Sequence, residues 1–154
     1  MDIRKLLKSF KFAFSGIKRC VSTQQNMRIH LLFASLICYF AYFFGISKIE
    51  WAILLITIGF VIFAECINTA VEALGDAVTK DENFNIKVAK DVSAGAVTIS
   101  AITSVLVGIC LFGDGEKIVN TITYIFSHWQ VMVVGAVILT VNFVNFWIYR
   151  KGDK

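Results

Sequence analysis

The chain has 154 residues, 57% hydrophobic and 17% charged, with a mean hydropathy of +0.72 and a net charge of +4. Soluble domains carry about a quarter of their residues as charges, so this balance excludes an ordinary soluble fold and points to an all-α integral membrane protein of a few spans. That length is room for one small unit, so a sizeable site is expected to need more than one copy of the chain. The positive charge calls for no nucleic acid, because anionic lipid is partner enough.

The first residues, MDIRKLLKSFKFAFSG, spread their charges among apolar positions and offer no small-residue cleavage site, so they are not read as a cleaved signal peptide. Leu6, Leu7, Phe10, Phe14 and Ile17 recur at helical spacing with Lys5, Lys8, Lys11 and Lys18 mostly between them. This predicts a basic amphipathic helix over 3–24, lying in the membrane surface. Apolar segments then predict spans over 30–46, 51–74 and 92–112, and a further one beginning at 131. Each is near the roughly 17 to 25 residues that cross a bilayer, the second only if its helix carries on past its apolar run. Helices are expected because lipid tolerates only helices or closed barrels, no alternating pattern is present, and the chain has no proline. Residues 113–130 read as an external connection with a short interfacial helix around 118–126, in which His128 is an interfacial polar residue. In the last span, Asn142 and Asn145 offer amides to a neighbouring helix, and an aromatic and basic end anchors 131–154.

Thirteen of the fifteen lysines and arginines fall before the first span, between the second and third (Lys80, Lys87, Lys90) or after the fourth (Arg150, Lys151, Lys154). Only Lys48 and Lys117 fall elsewhere, so both termini and the loop over 75–90 are expected on the cytoplasmic side. Cys20, Cys38, Cys66 and Cys110 have no CxxC spacing and no histidine at ligand distance, and read as buried free thiols.

The second apolar run ends in AECINTAVEALGD, residues 64–76. On a helix Glu65, Asn68, Glu72 and Asp76 fall within an arc of about 80°. Such a face can simply be solvated or hold helices together. Glu65 and Asn68, however, stand about one turn from the apolar run, where charged groups are costly and usually mark a site. The third span opens AKDVSAGAV, with Lys90 and Asp91 at its mouth and small residues behind them. Carboxylates on one helix end, a lysine on the next and a charged loop between make a cradle for a magnesium-bound polyphosphate.

These residues resemble the prokaryotic integral-membrane diacylglycerol kinase and undecaprenol kinase family, with the pattern E-x-x-N-(S/T)-A-x-E-x-x-x-D followed by A-K-D; FAFSGIKRCVSTQQNMRIHLL, residues 12–32, is a weaker part of the match. The resemblance implies a kinase unit over 1–112 that phosphorylates a membrane lipid alcohol, undecaprenol or diacylglycerol, with ATP as co-substrate and Mg²⁺ as cofactor. It also implies a homotrimer with active sites shared between neighbours at the cytoplasmic face. Glu65 would be the catalytic base, Asn68 would position the reacting groups and Glu72 would hold the metal. Lys90 and Asp91 would bind the nucleotide, with Asp76, Asp81, Asn83 and Phe12 near it, and Lys5 and Arg28 would face the lipid. NMRIHLL and KDVSAGAV look more like the undecaprenol kinases than the diacylglycerol kinases.

There are two departures from the family pattern. Gln24 stands where the family has a glutamate that shares the metal, and residues 131–154 add a fourth span. Gln24 leaves three readings open: metal binding is weaker, Asp2 or a loop acid compensates, or the chain only binds lipid. A small transporter or channel subunit is the alternative of a different class, since carboxylates in a membrane can relay ions.

Overall fold

In the computed structural model the described residues, 2–79 and 81–150, form six helices and no strand. Lys80 and the basic tail at 151–154 lie outside them. The helices are α1 (Ile3–Thr23), α2 (Gln25–Phe44), α3 (Lys48–Val78), α4 (Phe84–Leu111), α5 (Gly115–Ser127) and α6 (Trp129–Arg150). Four of them, α2, α3, α4 and α6, are long and apolar enough to cross a membrane.

Most helices begin earlier than the apolar runs, because local caps and not hydrophobicity decide where a helix starts. Asp2 caps α1 by accepting from the Arg4 amide at 3.0 Å. The first span starts at Gln25 and not near 30, because the chain breaks for a single residue: Gln24, in extended conformation, closes α1 and opens α2. A capping box starts α3, with Ser47 Oγ accepting from the Glu50 amide and Glu50 Oε2 accepting from the Ser47 amide at 2.6 Å. Asn83 Oδ1 starts α4 by accepting from the amides of Asn85 and Ile86. Gly45 ends α2 in the left-handed region, φ 69°, where glycine alone carries no Cβ penalty.

Helices α3 and α4 form the closest pair, with α2 beside α3 and α6 against α2. The apolar core sits at one end of the bundle, where Ala41, Phe44, Ile46, Leu54 and Phe112 meet under Phe40 and Ile118. The fourth span packs antiparallel to α2: Tyr39 Oη donates to the Val131 carbonyl at 2.8 Å, Asn142 Nδ2 donates to Ser35 Oγ at 3.1 Å, and Arg28 lies over the Phe146 ring. Of the two asparagines expected to reach a neighbour, Asn142 does so. Residues 45–47 and 112–114 turn at the core end, which leaves α1, the 79–83 connection and the C-terminal end of α6 at the other.

Amphipathic α1 is exposed along nearly its whole length, Cys20 alone being buried. Its last turn is fixed to the bundle by two contacts. Arg28 Nη1 donates to the carbonyls of Val21 and Ser22, and Cys20 Sγ lies 3.1 Å from Thr69 Oγ1 on α3.

Candidate active site

At 1.5 Å per residue, the 31 residues of α3 make a rod about 46 Å long, against a hydrocarbon thickness of about 30 Å. Measured from Lys48 at one boundary, that thickness is used up near Asn68. On that measure Glu65 and Asn68 would fall just inside the opposite boundary, with Glu72 and Asp76 beyond it. The polar end of α3 is positioned by the length of the helix that carries it.

Glu65 is 1% exposed, and neither carboxylate oxygen has a hydrogen-bond partner among the described residues. Folding ordinarily removes such a group or pairs it, since a buried carboxylate without donors costs several kcal/mol. One turn on, Asn68 is buried and bonded on both sides of its amide: its Nδ2 donates to Glu72 Oε1 at 3.1 Å, and its Oδ1 lies 2.7 Å from Ser93 Oγ on α4. The second Glu72 oxygen accepts from Gln24 Nε2 at 2.9 Å. Four residues from three places, Ser93, Asn68, Glu72 and Gln24, thus form one chain of bonds across α4, α3 and the α1–α2 junction. Gln24 meets Glu72 with its amide nitrogen.

Further out, Lys90 Nζ donates to Asp76 Oδ1 at 2.5 Å. Gly75 makes this reach feasible. A Cβ there would stand 2.8 Å from Lys90 Cε and 2.9 Å from Ile86 Cγ2, so the lysine stem crosses α3 only where no side chain is present. A cleft of about 960 Å³ opens beyond the pair, with Asp76, Asp81, Asn83, Lys87, Lys90 and Asp91 in its lining.

The fold therefore joins Glu65, Asn68, Glu72 and Gln24 in one cluster and Asp76, Asp81, Asn83, Lys90 and Asp91 around one cleft. It leaves Lys5 and Phe12 on exposed α1, where Phe12 meets Lys8 and takes no part in either group. Asn83 has a structural duty as the cap of α4. Arg28 is buried against the end of α1, where it donates to the carbonyls of Val21 and Ser22, and it also lines an apolar groove between α2 and α6. Sequence reasoning took Ser93 as a small packing residue and passed over Gly75. The signal for Ser93 was its spacing: Lys90, Ser93, Val97 and Ser100 follow one stripe of α4, and the last three are buried.

A carboxylate without donors beside one held by two amides can take a proton from a bound hydroxyl while the second faces a cation. The lysine and the cleft suit a phosphate-bearing ligand.

The profile of the family described as prokaryotic diacylglycerol kinase matches residues 11–112. The chain is 32% identical over 111 residues to an undecaprenol kinase of Bacillus subtilis, covering 72% of this chain and 90% of that one. It is 36% identical over 107 residues to a diacylglycerol kinase of Synechocystis, covering 69% of this chain and 61% of that one. No solved structure matches it.

Proposed function

The chain belongs to the prokaryotic diacylglycerol kinase family and is a multi-pass membrane lipid kinase; from that premise we propose that it transfers the terminal phosphate of ATP to the hydroxyl of undecaprenol, with diacylglycerol as the second acceptor. The observation that carries the reading is Glu65, a buried carboxylate with both oxygens free to accept, one helical turn from the Asn68–Glu72 pair. The lipid hydroxyl donates to Glu65 and gives up its proton there as its oxygen attacks the terminal phosphorus. The bond from that phosphorus to the bridging oxygen breaks in line, and ADP leaves. No covalent enzyme intermediate is needed, and catalysis consists of positioning and charge neutralisation. Lys90, released from or shared with Asp76, meets the phosphates as a point charge, and Asp91, Asp81 and Asn83 border the nucleotide.

The residues present fit a magnesium ion. Among the described residues no group of three or more His, Cys, Asp or Glu stands ready to hold a metal. Mg²⁺ in phosphoryl-transfer sites, however, is commonly bound by one or two carboxylates with the substrate's own phosphates and water. Glu72 would supply the carboxylate, and the side chains of Gln24 and Asn68, whose amide N–H groups meet it, stand beside the same place. The ion, when bound, neutralises charge on the phosphates.

Lys5 and Phe12 stay outside the chain's own network, which suits a homotrimer in which α1 of one copy completes the site of the next. Undecaprenol is placed first because of the motif resemblance and because the chain covers 90% of the undecaprenol kinase but 61% of the diacylglycerol kinase. A transport role has less support, since Glu65 is the one buried carboxylate among the described residues and a relay needs a series.

The test is transfer of labelled phosphate from ATP by purified protein in micelles, to undecaprenol and diacylglycerol in parallel, with and without Mg²⁺. Faster labelling of undecaprenol, lost without the cation, is expected. Labelling of diacylglycerol alone reverses the order of acceptors, and labelling of neither removes the kinase assignment of this site.

A further inference from the structure

Ser93 has no part in the roles above, yet it sits where two hydrogen-bond systems meet. It is 9% exposed, and its Oγ lies 2.7 Å from Asn68 Oδ1 and 2.9 Å from the carbonyl of Lys90 in its own helix. One hydroxyl proton therefore faces two acceptors. Across from it Asn68, 6% exposed, turns its NH₂ to Glu72.

An asparagine amide has two faces of similar size and opposite character, exchanged by a half-turn about its last torsion. A carboxylate can only accept. With Glu72 bare, Asn68 must therefore direct its NH₂ to Glu72 and its oxygen to Ser93, which donates. With a divalent cation on Glu72, the same NH₂ would point its hydrogens at positive charge, and the oxygen becomes the favourable face. Turning the amide over brings the NH₂ to Ser93, which must then accept. A serine hydroxyl can do so, because its own proton has the Lys90 carbonyl to go to. Both orientations of a buried amide are thus satisfied, and neither leaves an unpaired polar group. An alanine at position 93 would satisfy neither. Gln24, half-buried at the α1–α2 junction, has solvent to serve the same purpose.

We propose that Ser93 is a positioning residue that lets the Asn68 amide turn over, giving its N–H to bare Glu72 and its oxygen to a cation held there. The inference rests on the reading of Glu72 as the cation-binding carboxylate. Its test is Mn²⁺ binding to the full chain in nanodiscs with a non-hydrolysable ATP analogue, followed by the resonance of free Mn²⁺. Ser93→Ala should weaken binding by about tenfold or more, as loss of a group behind a metal ligand does, while Ser93→Thr, which keeps the hydroxyl, stays near the wild type. Unchanged affinity in a folded Ser93→Ala protein overturns the role of Ser93 alone. Absence of Mn²⁺ binding in the wild type overturns the reading of Glu72, and this inference with it. If the alanine variant does not fold, the wild type decides. In protein labelled with ¹⁵N-asparagine and assigned with Asn68→Asp, the Asn68 side-chain amide signals should move on addition of Mg²⁺ with the analogue, and stationary signals overturn the proposal.

Discussion

Glu65 and Glu72 are the same residue type two turns apart on one helix, and their surroundings separate them. Each oxygen of Glu72 is met by an amide N–H, whereas neither oxygen of Glu65 is met at all. The first is held in place and the second is left able to accept, which is the division of labour expected of a cation-facing carboxylate and a proton acceptor. Next to them, burial pushes the Cys20 thiol up to about 11 from its ordinary 9.0. Thiolate is the reacting form, so a raised value means less of it at any lower pH. Cys20 should alkylate slowly at pH 8, with a rate that keeps rising about tenfold per pH unit beyond the ordinary value instead of levelling there. Mass spectrometry of maleimide adducts across pH 7–10 in detergent measures this, and a plateau near 9 would count against the packing of α1 on α3.

The pairing of α3 with α4 turns a stripe on one helix into a site. Gly75 is where this pairing is most demanding, since a methyl group there meets the stem of Lys90 and the side chain of Ile86. Both obstacles are side chains, so Gly75→Ala should fold but displace Lys90 from Asp76. The half-exposed pair is worth at most about 1 kcal/mol, so the KM for ATP should rise on the order of fivefold with kcat little changed. Steady-state kinetics at saturating lipid decide it, and a fall in kcat at constant KM would place Lys90 elsewhere in the reaction. The carboxylate face of α3 was legible in the sequence, because Glu65, Asn68, Glu72 and Asp76 repeat at helical spacing after an apolar run. The start of α3 was missed, because the apolar run suggested 51 while the S-x-x-E of residues 47–50 caps the helix at Lys48. What could not be read is what each side chain meets: the approach of Lys90 over Gly75 depends on the distance between two helices, which no periodicity encodes. Gln24 likewise reads as a position in a motif, and its bond to Glu72 follows from a one-residue break between two helices.

For the molecule as a whole, the fold separates packing from chemistry. The aromatic core around Phe44 and Phe112 lies at one end, with the carboxylates and the cleft at the other. Four spans were legible from composition, and the lysines and arginines at the start of α1 and between α3 and α4 already suggested that those regions share one end. The way the fourth span packs on α2, through Tyr39, Ser35 and Asn142, needed coordinates. If the basic end is cytoplasmic, cysteines introduced for Glu82 and Glu116 in a cysteine-free background should differ in whole cells. An impermeant maleimide should label position 116 and leave 82 until the membrane is opened, and the reverse pattern would invert the topology. The most direct test of the central claim is single-turnover phosphate transfer by Glu65→Gln with ATP binding measured in parallel. The rate should fall by about 10²-fold or more, the usual share of a general base, with nucleotide affinity and assembly retained; a rate within a few-fold of the wild type would mean that Glu65 is not the base.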